Sequence, residues 1–520
     1  MTIKPSLIDK AVARVSPSKG VARLNSRAKW NALTGTGPVQ RAGGQKKGTL
    51  FNWIVSRLTR FNESQERETL TERSQDLVAN TPHAVSCVES LTTNVVGTGL
   101  MPQSKPKWKR LGITEDQAKD FAEQAEWVFG KWCQHSDIAD RLHFQDAQYL
   151  ASYSMFVNGE WLFLPTMRRE APGPGQSVVR LALQALSPVR MSTPYDLAND
   201  EGLRDGVKLS SVGAPVGYWV ATPKSGRLSP QLKSEDFTYY PAWIGHRPGL
   251  LHSFHSAAKE PDRVRGVSIL APAMKCFKDL YDYLDFELVG AIVASSPAMW
   301  IEQDNANDYT AGFPTEQNSR GDEEKYQEFD PGSVYYGGGK PHVLKNERPS
   351  NTFEGFIETL IRAVGTSVGL PYEVVAKDFS KTNYSSARAA LLEAWRVYNL
   401  HRKWLERHFC QPVWQMVLEE AWLRGELKLP AGGPDFYAGF AEYCHATWIG
   451  PAKGHVDPVK ETKANKLLKD ENVLTLADWA AEQGKAWEDQ IEQRGREEEK
   501  RQETMPIEPA QQEEINDGTE

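Results

Sequence analysis

Residues 378–396 read DFSKTNYSSARAALLEAWR, a polar, Ser- and Asn-rich loop that runs into a long helix with no Gly or Pro between them. Asn383 or Ser385 can cap the first turn by accepting from backbone N–H groups that have no partner inside the helix. Ala387, Ala389, Ala390, Leu391, Leu392 and Glu393 are strong helix formers, so the loop is expected to be held stiffly at its base. From Leu391 the apolar residues fall at Trp395, Tyr398, Leu405 and Phe409, steps of three, four and seven that make one stripe on one helical face. The pattern can run to Arg424, about 40 residues or roughly 60 Å at 1.5 Å per residue. A kink is expected just before Pro412, which lacks an N–H and breaks the hydrogen-bond ladder. The stripe resumes at Val413, Val417, Leu418 and Ala421.

Working towards the N-terminus, a helix is expected from Asn351, carrying Phe353, Phe356, Ile357, Leu360, Ile361, Val364 and Val368. Another is expected over 268–296, with Leu270, Met274, Phe277, Leu280, Tyr281, Leu284, Leu288 and Ile292 at three- and four-residue steps and Pro297 to end it. Between these two helices, residues 298–345 change to short strands in a Gly-rich setting, MWIEQ, SVYYGGG and HVLKN, with a polar loop over 304–325. Further upstream, 178–186, 206–209, 216–220 and 237–240 read as strands separated by Gly, Pro and Ser clusters. Between Phe144 and Phe163 a helix gives way at Gly159 to the strand WLFL. Thr114 and Gln117 form a capping pattern ahead of Phe121, Ala125, Val128, Phe129 and Trp132, and 63–93 reads as two helices parted at Pro82. Downstream, VDPVKETKANKLL and TLADWAAEQG read as two or three short helices, the second capped by Thr475. The fold class is α+β, mainly α, and 520 residues exceed what a single core supports.

A hydrophobic share of 40% and a charged share of 25% are ordinary for a soluble chain, so most of it can fold. The longest charge-free apolar stretch, residues 288–301, is 14 residues and contains Pro297, short of the roughly 20 that span a bilayer; no membrane partner is expected. The opening MTIKPSLIDKAVARV lacks an apolar core and a small-residue cleavage site, which points to synthesis in a cytoplasm. Cys87, Cys133, Cys276, Cys410 and Cys444 form no CxxC pair and are too sparse for a disulfide framework or a four-ligand zinc site. They read as buried, reduced thiols, and no metal or other cofactor is expected.

Charge is distributed unevenly. Residues 1–60 hold twelve Lys or Arg against one acid, Asp9, or +11, which leaves −18 on the rest of a chain whose net charge is −7. The Gly-rich basic stretch with Arg41, Lys46 and Lys47 is too polar to bury and suits a mobile electrostatic contact with nucleic acid or an acidic protein surface. Residues 492–520 carry ten acids against four bases and no aromatic residue, which reads as a disordered acidic tail.

Signals for catalysis fail on context. Gly365-Thr-Ser-Val-Gly369 fits G-x-S-x-G and would make Ser367 a nucleophile, but that elbow needs a strand before it, and FEGFIETLIRAVG is spaced as a helix. Gly337-Gly-Gly-Lys340 has Val334 where a phosphate-binding loop needs its first Gly and Pro341 where it needs Ser or Thr. His252 and His255 stand three apart without the H-E-x-x-H context of a zinc protease, and Glu323-Glu324 reads as solvated charge. No active site is expected.

The stretch 378–396, preceded by Gly369-Leu370-Pro371-Tyr372, resembles the signature region of the lambda-type phage portal proteins. NVVGTGL (94–100), NGEWLFL (158–164), LSPVRMSTP (186–194), RGVS (265–268), DPGSVYY (330–336) and VDPVKE (456–461) resemble that family in the same order, with coverage over roughly residues 10–490. The resemblance implies a portal-type fold assembled as a homo-oligomeric ring, commonly of twelve subunits. It assigns 1–60 as a basic arm, 61–265 as the first part of a wing, 266–297 as a stem helix and 298–345 as a clip. The second stem helix is then 346–370, while 371–450 holds the tunnel loop, the long kinked helix and the rest of the wing. Residues 451–490 become the crown and 491–520 the acidic tail.

The family likeness further implies that double-stranded DNA passes through the ring during packaging and ejection. A separate terminase, through its large subunit, supplies the ATP-driven motor. Major capsid, scaffolding and head-completion or tail adaptor proteins are the other partners, in a virion assembled in the host cytoplasm. It places the tunnel loop at Lys377, Asp378, Phe379, Ser380, Lys381, Thr382, Asn383 and Tyr384, followed by the helix start at Ser385, Ser386 and Arg388. Lys377 and Lys381 could touch passing phosphates, or face solvent and neighbouring carboxylates. A conduit that neutralised many phosphates would bind DNA tightly and stall it, so an acidic or neutral lumen is expected. Two other readings compete: a nucleic-acid-binding protein that uses the basic arm without forming a ring, and a capsid-associated hydrolase built on Ser367.

Overall fold

The computed structural model describes residues 60–170, 177–222, 232–254, 262–295, 299–302, 315–317, 323–325, 340–343, 353–454, 458–485 and 487–504. The chain divides into two compact units, Met1–Ser64 and Gln65–Glu520; apart from the first turn of α1, the elements below belong to the second. The basic arm, with Arg41, Lys46 and Lys47, lies outside the described residues, as does SVYYGGG.

Helices α1 (Arg60–Asn80) and α2 (Pro82–Val95) part at Pro82, which sits in the first turn of α2, where its missing N–H costs nothing. Strand β1 (Met101–Ser104) and the short α3 (Trp108–Leu111) lead to α4 (Glu115–Cys133). Its cap forms as the spacing requires: Thr114 Oγ1 accepts from the Gln117 backbone N–H at 3.3 Å and Gln117 Oε1 accepts from the Thr114 N–H at 2.9 Å. Helix α5 (Phe144–Asn158) stops at Gly159, whose φ of +88° few other residues adopt. Strand β2 (Trp161–Met167) follows at once and lies between β3 (Leu181–Leu186) and β10 (Leu251–Ser253) in an antiparallel sheet, with Leu162 opposite Leu186 and Phe163 opposite Leu251.

A second antiparallel sheet orders β4 (Leu203–Arg204), β5 (Val207–Leu209), β6 (Pro215–Ala221) and β7 (Phe237–Pro241) side by side; the hairpin β8 (Trp243–Ile244) and β9 (Arg247–Pro248) follows it. Helix α6 spans Met274–Ser295. Its expected start near Ser268 is corrected: residues 266–270 are drawn into the body by hydrogen bonds, and Pro272 falls in a separate 3₁₀ turn, Ala271–Ala273, because it cannot donate to the ladder. Strands β11 (Met299–Glu302) and β14 (Lys340–Val343) pair antiparallel, Met299 opposite Val343. The expected polar loop between them contains a further hairpin, β12 (Thr315–Gln317) with β13 (Glu323–Lys325). No apolar alternation marks those strands, so their sequence carried no strand signal.

Helix α7 (Phe353–Val368) returns beside α6, with Tyr283 of α6 stacked on Phe353 at 5.7 Å and edge-on to Phe356 at 4.9 Å. After α8 (Tyr372–Ala376) comes the long helical run, which is three segments: α9 (Tyr384–Leu405), a π-turn over Glu406–Cys410, and α10 (Gln411–Leu423). The π-turn lies immediately before Pro412. Proline cannot donate to the i−4 carbonyl, and a one-residue bulge absorbs the mismatch without ending the rod. The buried stripe begins at Ala394, later than expected: Leu391 is exposed, whereas Tyr398, Leu405, Phe409, Val413, Val417, Leu418 and Ala421 are buried.

Helix α11 (Phe440–Tyr443) precedes β15 (Ala446–Ile449), which pairs antiparallel with β1, Met101 opposite Ile449. Helices α12 (Pro458–Asp470), α13 (Leu476–Glu482) and α14 (Trp487–Thr504) complete the described chain, with Thr475 Oγ1 accepting from the Asp478 N–H at 3.0 Å as the α13 cap. Part of the expected acidic tail is therefore helical. Glu, Gln, Lys and Arg are good helix formers, and Gln493 donates to Glu497 at 2.7 Å one turn on. Gln103 donates to Glu488 at 2.6 Å and ties α14 to β1.

The main core draws on residues from Ala84 to Trp448. Phe129 sits among Trp132, Phe144 and Trp414, with ring centroids 5.3, 5.4 and 5.0 Å away, and Phe409 packs on Phe163 at 4.7 Å. Burying each such ring contributes about 1.5–3 kcal/mol. The core thus fuses residues from both sides of the α6–α7 excursion into one body. No helix among the described residues is long and apolar enough to cross a membrane.

Candidate functional site

The loop between α8 and α9 is fastened at both ends. Lys377 closes α8 in the left-handed region, φ +53°, and Asp378 accepts from the Ser380 backbone N–H at 2.9 Å; the Ser380 hydroxyl, followed by this N–H, lowers the Asp378 carboxyl pKa. At the far end Asn383, not Ser385, is the cap: its Oδ1 accepts from the Ser386 N–H at 2.9 Å. Asn383→Ala should cost about 1 kcal/mol of local helix stability, read as faster hydrogen exchange at the Ser386 amide; unchanged exchange there would remove the cap from the account.

Phe379 within the loop and Tyr384 at the start of α9 are each 42% exposed, and Thr382 donates to Glu373 at 3.3 Å. Ser385, Ser386 and Arg388 lie on the exposed first turns of α9. Lys381 reaches back to α7, where its ammonium donates to Glu354 and, at 2.6 Å, to Glu358. Those hydrogen bonds raise the lysine's pKa and lower that of Glu358. In this structure Lys381 thus faces neighbouring carboxylates, as one of its two expected settings allowed. Lys377 is exposed and makes no ion pair with the described residues.

The decoys resolve into ordinary structure. Ser367 lies in the last turn of α7 and donates to the Val364 carbonyl at 2.7 Å, and a Cβ on Gly365 would come within 2.5 Å of the Leu370 carbonyl, so that glycine serves close packing. His252 is buried against Glu160; His255 lies outside the described residues. Among the described residues no group of three or more His, Cys, Asp or Glu could hold a metal ion. All five cysteines are free, and burial pushes the Cys87 thiol up to about 12.

Away from the loop sequence, Glu160, Arg265, Asp205 and Arg67 form a charged cluster that the sequence did not announce. Arg265 is 2% exposed, and all five of its N–H donors are used. Nε donates to both Glu160 oxygens at 2.9 and 3.0 Å, Nη2 to Glu160 at 2.6 Å and the Pro188 carbonyl at 2.8 Å, and Nη1 to the carbonyls of Met191 at 2.6 Å and Asp205 at 2.7 Å. Glu160 also accepts from Gly266 N–H at 3.1 Å and contacts His252 Nε2 at 2.9 Å. Burial alone would raise this carboxyl, but the Arg265 charge and the His252 contact outweigh it and hold it far below the usual carboxylate range. Arg67 completes the cluster with a bidentate pair to Asp205 at 2.5 and 3.1 Å.

Three of the motifs quoted above meet here, NGEW through Glu160, LSPVRM through the Pro188 and Met191 carbonyls, and RGVS through Arg265. A fourth, NVVGTGL, is held by Arg402 of α9, which donates to the Asn94 and Val95 carbonyls at 2.7 and 3.0 Å at the C-terminal end of α2. Their shared order along the chain thus reflects a single interlocked body.

The family model for phage portal proteins of the lambda family matches residues 52–402. The chain belongs to that family. Among curated relatives, the portal protein of Escherichia phage N15 is 26% identical over 456 residues, 82% of this chain and 83% of that protein. Portal protein B of Escherichia phage lambda is 25% identical over 455 residues, 82% of each. Among solved structures, a chain in the neck of a native gene transfer agent particle computed with C12 symmetry is similar at 16% identity and TM-score 0.39, over 78% of this chain and 91% of that one. A chain in the neck of an empty particle computed with C6 symmetry gives 15% identity and TM-score 0.42, over 79% and 93%. The function is that of a phage portal, or connector, protein, and the portal family is a structural one. Within this portal-family chain, the match spans the charged cluster, α7, the loop and most of α9.

Proposed function

We propose that identical copies of this chain close into a ring, twelve being the family's usual number, at one vertex of the virion capsid. Double-stranded DNA then passes through its channel during packaging and ejection. The observation that carries this reading is the match to the lambda portal family over 52–402, because it takes in α7, α8, the 377–384 loop and most of α9.

The ring is assembled in the host cytoplasm with major capsid and scaffolding proteins, docks the terminase large subunit, and later receives head-completion or tail adaptor proteins. Its wing is built from 61–265 and from 371–450, which also holds the tunnel loop and the long kinked helix, its stem from 266–297 and 346–370, its clip from 298–345 and its crown from 451–490. The loop of Lys377, Asp378, Phe379, Ser380, Lys381, Thr382, Asn383 and Tyr384 lines the channel, where Lys377 and Lys381 touch phosphates in passing. Few such contacts suit a conduit, since each neutralised phosphate strengthens binding and steepens its salt dependence. The role is mechanical, and ATP is spent by the motor.

Light scattering on the purified chain should give a closed multimer, and negative-stain views along its axis a central hole. Lys377→Ala/Lys381→Ala should leave that multimer intact while changing the length of DNA packaged or retained in particles. A chain that stays monomeric at every concentration would favour a nucleic-acid-binding protein that works through its basic arm. Unchanged packaging in the double variant would take the loop out of the mechanism.

A further inference from the structure

We propose that Glu354 and Glu358 on α7 are positioning residues for the loop: they hold the Lys381 ammonium against the helix and make every contact of that lysine with DNA a competition between carboxylate and phosphate. This rests on the reading that the loop lines the channel, and adds to it how the loop's charge is controlled.

The two acids stand one helical turn apart, so both side chains leave α7 on the same side. They differ in freedom. Glu354 is 74% exposed, whereas Glu358 is 16% exposed and is gripped from behind by Arg362 at 3.3 Å. Arg362 in turn lies over the Tyr372 ring of α8, 5.2 Å from its centre. A relay of contacts therefore runs from α8 through Arg362 to Glu358 and on to Lys381.

The backbone at Lys381 is set between two fixed points, the Asp378 turn and the Asn383 cap, so the side chain moves while its root stays in place. An ammonium carries three rotatable donors and no preferred partner plane; a phosphate oxygen can replace a carboxylate oxygen with the same geometry. Exposed ion pairs of this kind are weak and screened by salt, which lets the exchange run in both directions as a duplex moves. Without the two acids, the lysine would present a permanent positive charge at each repeat of the ring.

The test is duplex binding by the assembled full-length protein, using a short fluorescent double-stranded DNA over a series of salt concentrations, with light scattering to confirm equal assembly. Glu354→Gln/Glu358→Gln should bind the duplex about tenfold more tightly at low salt and with a steeper salt dependence, by up to ~0.9 in log–log slope for each phosphate newly engaged. Adding Lys381→Ala to that double variant should abolish the gain, and Glu354→Asp/Glu358→Asp should behave like the parent. If Lys381→Ala weakens binding but the glutamine pair changes nothing, the lysine meets DNA and the acids do not control it, which overturns the proposal alone. A gain that survives Lys381→Ala would trace to bulk charge and overturns it as well. If neither Lys381→Ala nor the glutamine pair alters binding, the channel-lining role of the loop falls and takes the proposal with it.

Discussion

Arg265→Ala should destabilise the protein by about 3–5 kcal/mol, the range for removing one partner of a buried ion pair. The loss would be read as a lower urea midpoint and reduced soluble yield. The size follows from what is left behind. Glu160 would remain 0% exposed beside His252 without its guanidinium, and the carbonyls of Pro188, Met191 and Asp205 would lose their donor together. Arg265→Lys should recover only part of the loss, because an ammonium has three donors where five are in use. A loss below about 1 kcal/mol for Arg265→Ala would mean that water enters and solvates the cluster, and the account of how the motifs interlock would fail.

Gly159→Ala should be nearly as damaging, by roughly 3 kcal/mol or more. A side chain at φ +88° costs about 1–2 kcal/mol in itself. Its Cβ would also stand 2.3 Å from backbone atoms of Val267, and backbone cannot swing aside as a side chain can. Gly112→Ala isolates the first contribution, since Gly112 has φ +69° and no neighbouring heavy atom within 4 Å of the added carbon. It should cost only the backbone share. Equal urea midpoints for the two variants would show that the close approach of NGEW to RGVS contributes nothing.

Local features were legible wherever a short-range rule suffices. The Thr114 and Thr475 caps, the break at Pro82, the stop at Gly159 and the disturbance before Pro412 each depend on residues within one or two turns, and each is found where the sequence placed it. The stripe on α9 was read from periodicity too far towards its N-terminus, because a repeat of apolar residues says nothing about where the partner surface ends. Leu391 belongs to the pattern yet stays exposed.

What escaped was long-range and polar. Glu160, Arg265, Asp205, Arg67 and His252 are spread across the chain, and each alone looks like a surface residue. The buried Glu420 accepts from the Arg180 and Leu181 amides at 2.9 and 2.8 Å, and Glu419 from Arg247 at 2.6 Å. Neither sits in a pattern that periodicity detects. The hairpin of β12 and β13 was hidden for the opposite reason, since its strands have no buried face to write into the sequence. At the loop, the sequence offered Asn383 or Ser385 as the cap, and Asn383 serves, while the pairing of Lys381 with α7 required knowing that a helix over twenty residues upstream folds back beside it.

Strand β11 pairs antiparallel with β14, and α7 returns beside α6, so the outgoing and returning chain run side by side. Length added between the two strands should therefore cost the body little, since doubling an intervening loop adds only about 0.6 kcal/mol of closure entropy. A change of length between β11 and β14 should thus leave the urea midpoint of the body nearly where it was, whereas a single added carbon at Gly159 meets the Val267 backbone at 2.3 Å.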